Sequence, residues 1–161
     1  MLPIDVEGPV TAEVFTLAMT DFGPLLTGPC GPAPWLIEAG HGEHPIDTVR
    51  RLAGSAMPGL RLLHSTSWRF ERGAVVLSFL VVMDESRIGE FETVPVHRVD
   101  LARSTATEAP PAIGYEQVLE HALRHLAWLA KEDEAVRVAL DDRWHDLLEG
   151  YVPEPFLQLG G

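Results

Sequence analysis

The sequence predicts a single-domain α/β protein (of the α+β kind): a mixed sheet in an α/β/α sandwich, closed by two C-terminal helices. Three observations predict it. The run Ala74 to Met83 is apolar on both faces and rich in branched residues, which suits a central strand covered on both sides. Pro45 opens a helix between strand candidates. Two stretches with helical apolar spacing, Tyr115 to Lys131 and Glu134 to Leu148, follow the strands. The expected single domain spans 1–161: sheet and first helix over about 1–101, two helices over 115–149, and an extended tail over 150–161.

Each element has its own signal. Glu13 to Thr20 carries β-forming residues and predicts the first strand. Gly23 to Pro34 is crowded with Gly and Pro and predicts a loop. Trp35-Leu-Ile-Glu predicts a short strand. In the helix at Pro45 the missing N–H costs nothing at the first position, and Asp47 complements the positive helix end. Ile46, Val49 and Ala53 form its buried stripe, and Gly54 with Pro58-Gly59 ends it. Leu60 to Glu71 alternates, which would place Leu62, His64, Thr66, Trp68 and Phe70 on one face. Arg72-Gly73 supplies a turn, so this strand and Ala74 to Met83 form a hairpin. Thr93 to Leu101 predicts a further strand, which Pro95 pushes to an edge. Ala102 to Gly114 is a polar connection. Val118, Leu119, Ala122, Leu126 and Leu129 mark the buried side of one terminal helix; Val136, Ala139, Leu140, Trp144 and Leu147 mark that of the next. Val152 to Leu159 alternates Pro with apolar groups and predicts an extended tail.

Composition excludes several classes. With 46% hydrophobic and 22% charged residues the chain is globular. Acids outnumber bases 24 to 12, for a formal charge of -12, and Lys and Arg do not cluster, so nucleic-acid binding is not expected. A lone cysteine, Cys30, permits neither an intrachain disulfide nor a cysteine zinc site. It lies among Gly and Pro with no base beside it and reads as an inert thiol. The first residues have neither the basic start nor the apolar stretch of a secretory signal, and Ala74 to Met83 is too short to span a bilayer as a helix. The expectation is an acidic, soluble, cytoplasmic protein without membrane association.

The stretch from Trp35 to Trp68 resembles the motif of the Nudix hydrolases, G-x5-E-x7-R-E-U-x-E-E-x-G-U with U aliphatic. Gly42-Glu43-His44-Pro45 looks like the Gly-Glu-x-Pro that often opens the motif's helix, and Arg51 follows Glu43 at the motif's spacing. Pro58-Gly59-Leu60 resembles the closing Gly-U, displaced by one residue. The resemblance covers roughly the first two-thirds of the chain and implies a Nudix-like fold. It also implies that Glu43 and Arg51 are a structural pair joining loop to helix, and that Trp35, Arg51 and Trp68 are candidates for contact with a ligand. The family holds Mg²⁺ or Mn²⁺ on a cluster of glutamates, since hard cations need oxygen ligands. Here Arg51 is followed by Leu52, Ala53, Gly54, Ser55 and Ala56, so the three glutamates after the motif arginine are missing. Without that cradle no metal is expected, no cofactor is implied, and Glu43 alone is a weak catalytic candidate.

Other constellations favour plainer readings. His41, Glu43 and His44 could each bind zinc, but a short loop does not wrap three ligands around one ion. His121 and His125 share an i, i+4 face, yet Ala122 stands where the zinc-protease motif has its glutamate, so a packing or exposed role is expected. His64 reads as a buried, hydrogen-bonded histidine. Ser65, Thr66 and Ser67 beside it form no Gly-x-Ser-x-Gly elbow, and no P-loop or Gly-x-Gly-x-x-Gly occurs. The sequence therefore favours a catalytically silent Nudix-like domain that binds a small molecule or a protein. One alternative is a hydrolase of nucleoside diphosphate derivatives with Mg²⁺ or Mn²⁺ on a relocated site drawn from Glu38, Glu43, Asp84, Glu85, Glu90 or Glu92. Another is an interaction module that self-associates, as a homodimer, through its terminal helices or edge strand.

Overall fold

Two apolar runs organise the sheet. In the computed structural model Val10–Thr20 (β1) and Ala74–Met83 (β5) pair in parallel, from Val10 opposite Val75 to Ala18 opposite Met83. The structure describes residues 10–29, 31–39, 42–57, 59–71, 73–97 and 114–158. Residues 1–9, Cys30, Gly40, His41, Pro58, Arg72, 98–113 and 159–161 lie outside them, and with them part of the predicted strand at Thr93 to Leu101. Around the β1–β5 pair lie Gly23–Thr27 (β2), Trp35–Glu38 (β3), Leu60–Glu71 (β4), Val94–Pro95 (β6) and Leu157–Gln158 (β7). The seven-stranded mixed sheet runs β6-β2-β1-β5-β4-β7, with β3 also paired to β1. The helices are Pro45–Ala56 (α1), Tyr115–Glu132 (α2), Glu134–Ala139 (α3) and Asp142–Leu148 (α4), with a 3-10 helix at Glu85–Glu90. No helix among the described residues is long and apolar enough to cross a membrane.

The period of two along β1 and β5 divides the core between the sheet's faces. Val14 and Phe79 stand side by side on one face, where they pack with Val49, Ala53 and Met57 at α1. Phe15, Leu17, Leu80 and Val82 occupy the other, under Val118, Ala122, Leu123 and Leu126 of α2 and under Trp144 of α4. The predicted stripes of α1 and α2 are therefore the packed ones. His44 caps α1 by accepting the Ile46 N–H at Nδ1 (3.3 Å). Gly59, at φ +86°, turns the chain from α1 into β4. A Cβ there would stand 3.0 Å from Cγ of Arg87, so the turn requires glycine for both its backbone and its space.

Four expectations need correction. Gly23 to Thr27 is a strand, not the start of a loop: β1 supplies the ladder from Thr16–Thr27 to Thr20–Gly23, and Pro24 keeps a useful acceptor, its carbonyl taking the Val96 N–H (3.0 Å). The edge strand near Pro95 shrinks to Val94–Pro95 within the described residues. The alternation along β4 breaks at a β-bulge, where Ser65 faces Phe79 but Ser67 faces Ser78. Thr66 is the extra residue, and its insertion flips everything after it to the other face. Leu62 and His64 thus lie on the α2 side, paired with Val82 and Leu80, while Trp68 and Phe70 lie on the α1 side, paired with Leu77 and Val75. Last, the single helix expected over Glu134 to Leu148 is two. The backbone at Leu140 is extended, and Asp141 caps a new helix by accepting the Trp144 N–H (3.1 Å).

Asp133 caps α3 in the same way, accepting the N–H groups of Ala135 (2.9 Å) and Val136 (3.3 Å). Asp133→Ala should lower unfolding stability by about 1 kcal/mol, within the usual range for a lost cap, measured by urea denaturation.

Candidate functional site

The segment around Glu43 and Arg51 holds together as a loop tied to a helix. Arg51 donates from Nε to Glu43 Oε1 (3.3 Å) and from Nη2 to Glu43 Oε2 (3.2 Å), a two-bond fork across the α1 N-terminus. The Arg51 guanidinium, helped by Thr48, lowers the Glu43 pKa below the ordinary carboxylate value. Both groups face solvent, so the pair positions the loop more than it stabilises the fold. The helix positions after Arg51 hold Leu52 and Ala53, which pack on the sheet, and Gly54, Ser55 and Ala56; the Ser55 hydroxyl returns to the Arg51 carbonyl (3.1 Å). No carboxylate therefore joins Glu43 from the positions after Arg51, and Asp47, in the first turn, accepts from Arg50 (3.4 Å).

The three candidates for ligand contact do not converge. Trp35, opposite Val14, and Trp68, opposite Leu77, lie on the α1 side of the sheet. They are separated by β1 and β5, three strand spacings or roughly 14 Å. Trp35 packs into the core beside α1, whereas Trp68 meets Phe70 edge to face (ring centroids 5.6 Å apart). Arg51 is on the exposed side of α1 and committed to Glu43. The carboxylates considered for a relocated metal site are dispersed too. Glu38 ends β3, Glu43 is held by Arg51, Asp84 and Glu85 sit beyond β5, and the Glu90 side chain lies outside the described set. Among the described residues no three His, Cys, Asp or Glu side chains are arranged to hold a metal ion.

A cavity of about 350 Å³ opens instead at the carboxyl ends of the parallel pair. Its floor is apolar, with Met19 from β1, Val82 and Met83 from β5, and Trp144 from α4. Ligands of open α/β sheets commonly sit outside the carboxyl ends of the strands. The rim is charged and ordered. Asp84 caps the 3-10 helix through the Ser86 N–H (3.0 Å) and accepts from Arg61 (2.6 Å). The Ser86 N–H first, and the Arg61 guanidinium next, hold its pKa at about 2. Arg143 donates to Glu85, to Asp141 (3.0 Å) and to Asp21 (3.0 Å), and these carboxylates raise its pKa well above the usual arginine value. Burial would lift Asp141, but Arg143 and the Trp144 N–H outweigh it and leave its pKa lowered. Three carboxylates, Asp84, Glu85 and Asp141, thus face the guanidiniums of Arg61 and Arg143 at the rim, with Asp21 holding Arg143 from outside the lining.

Sequence reasoning missed this cavity because its parts come from four separated places, at Met19, Arg61, residues 82–86 and residues 139–144. One signal was available: Asp141-Asp142 after an apolar residue is a helix-start pattern, and it places the α3–α4 break at the rim. The histidines are also informative. His121 and His125 are both 2% exposed, so they are packed, not exposed. His64 is half-buried and bonds through Nδ1 to the Ser65 carbonyl (2.8 Å).

Compared with models of known protein families, with curated proteins and with solved structures, the chain matches none.

Proposed function

We propose that the chain is a catalytically silent, Nudix-like binding domain whose ligand is a small molecule held in the cavity at the carboxyl ends of β1 and β5. The observation that carries this reading is the cavity: an apolar floor under a rim of fixed, oriented polar groups, at the lower end of the volumes of small-molecule sites. The Nudix-like part of the reading is supported by the succession strand, loop, helix and hairpin over Trp35 to Met83, with Arg51 forked onto Glu43. Its silence is supported by the residues that replace the motif glutamates, Leu52, Ser55 and Ala56, two of which, Leu52 and Ala56, pack against the core. The rim adds selectivity. With Asp84, Glu85 and Asp141 against Arg61 and Arg143, its surplus is negative, which disfavours phosphorylated ligands and favours neutral or cationic ones.

A fragment screen read by amide NMR shifts tests the location. Binders should move the amides of residues 83–86 and 139–144 and leave those of Trp35, Arg51 and Trp68 in place. Shifts confined to Trp35, Arg51 and Trp68 would move the site to the motif, and a screen with no binder would favour the interaction-module reading.

A further inference from the structure

The end of the chain is fastened over buried imidazoles. Glu154 is the fastener. Its N–H donates to the Arg124 carbonyl (3.1 Å), and its own carbonyl accepts from His125 Nδ1 (2.9 Å). Its carboxylate takes His121 Nδ1 at Oε2 (2.8 Å) and Arg124 at Oε1 (3.2 Å). Two residues later Phe156 meets the His125 ring edge to face, with centroids 6.2 Å apart. The chain then joins the outer edge of β4 as β7, Leu157 opposite Ser67 and Gln158 opposite Trp68. His125 is enclosed by this segment on one side, by Trp128 stacked at 5.7 Å on another, and by His64 edge-on at 5.8 Å.

We propose that the segment 152–158, beyond the core-packed Tyr151, is a strap that protonation of His125 releases, baring the outer edge of β4 and the aromatic face of His125 and Trp128. The neutral ring already spends its Nδ1 proton on the Glu154 carbonyl. A second proton must go to Nε2 of a ring that is 2% exposed and flanked by Trp128, His64 and Phe156. A charged imidazole there is poorly solvated, and lifting the strap is the direct way to hydrate it. Burial is the main cause that lowers the His125 pKa; the Glu154 carbonyl opposes it, and the neighbouring His64 and His121 add to it. The groups facing His125 are His64 from β4, His121 and Arg124 (with its partner Glu120) from α2, and Glu154 from the strap. The Glu154 carboxylate works against release, because it attracts positive charge on α2, where it already holds His121 and Arg124. A lowered histidine pKa means that the strap is held fully above pH 6.5, the ordinary histidine value, and loses its hold as pH falls through the lowered value.

Hydrogen exchange corrected for intrinsic rates, at pH 7.5 and pH 5, reads the strap directly. Protection of residues 152–158 should fall about tenfold for each unit by which the pKa is lowered, while α1 keeps its protection. His125→Gln retains an N–H for the Glu154 carbonyl but does not titrate, so its strap protection should not depend on pH. Glu154→Gln removes the opposing attraction and should shift release to higher pH. An unchanged strap at pH 5, or an equal loss in His125→Gln, overturns the proposal. Should His125→Gln fail to fold, the wild-type His125 ring titration by NMR decides: its midpoint must match that of strap release, and a mismatch overturns the proposal.

Discussion

Arg69→Met should destabilise the protein by about 3–5 kcal/mol, the usual loss when one partner of a buried ion pair is removed. Arg69 forks onto Glu13, from Nη1 to Oε1 (2.9 Å) and from Nη2 to Oε2 (3.1 Å), and both residues are 6% exposed. Ser78, between them on β5, donates to the same carboxylate (3.1 Å). Methionine fills the space of the arginine stem but leaves Glu13 with the Ser78 hydroxyl as its remaining partner in this network. A buried carboxylate without its counter-ion resists ionisation, so in the variant its pKa rises. A raised carboxylate pKa makes the variant relatively more stable as pH falls. Its deficit against wild type in urea should therefore narrow between pH 7 and pH 5. Converting both residues, Glu13→Leu with Arg69→Met, should recover most of the loss, since apolar replacement of a whole buried pair is often neutral or better. Equal losses in the single and double variants would show that the pair contributes by shape alone.

Phe15→Ala should cost about 3–5 kcal/mol, the transfer term plus that of the cavity left behind. Phe15 is fully buried at the centre of the cluster that α2, α3 and α4 share with the sheet. Phe22, in the β1–β2 turn, is fully exposed, and Phe22→Ala should change stability by no more than about 0.5 kcal/mol. Denaturation of the two variants side by side separates core packing from phenylalanine content.

What was legible in the sequence was whatever repeats locally. Val49 and Ala53 in α1, and Ala122 and Leu126 in α2, recur at helical spacing and are the residues that pack. The double-faced apolar run of β5 did mark the strand between β1 and β4. Features that depend on one residue against a distant partner were not legible. Thr66 gives no local sign of being a bulge, yet it decides which face receives Trp68 and Phe70. Gly23 and Pro24 have the composition of a loop and form a strand because β1 is there to pair with them. Charged residues inside apolar strands, Glu13 between Ala12 and Val14 and Arg69 between Trp68 and Phe70, were the overlooked signal. Each needs a partner, and across β5 each is the other's. At the candidate site, the Glu43–Arg51 spacing points to a pair that the structure forms, while the cavity needs Met19, Met83 and Trp144 to meet from far apart in the chain.

The central claim is that a Nudix-like frame here binds without hydrolysing. Incubation of the protein with ADP-ribose and related nucleoside diphosphate derivatives, with Mg²⁺ or Mn²⁺, and product detection by mass spectrometry tests it most directly. The account predicts no cleavage above the protein-free rate with either metal. Metal-dependent cleavage that disappears in Glu43→Gln would contradict it.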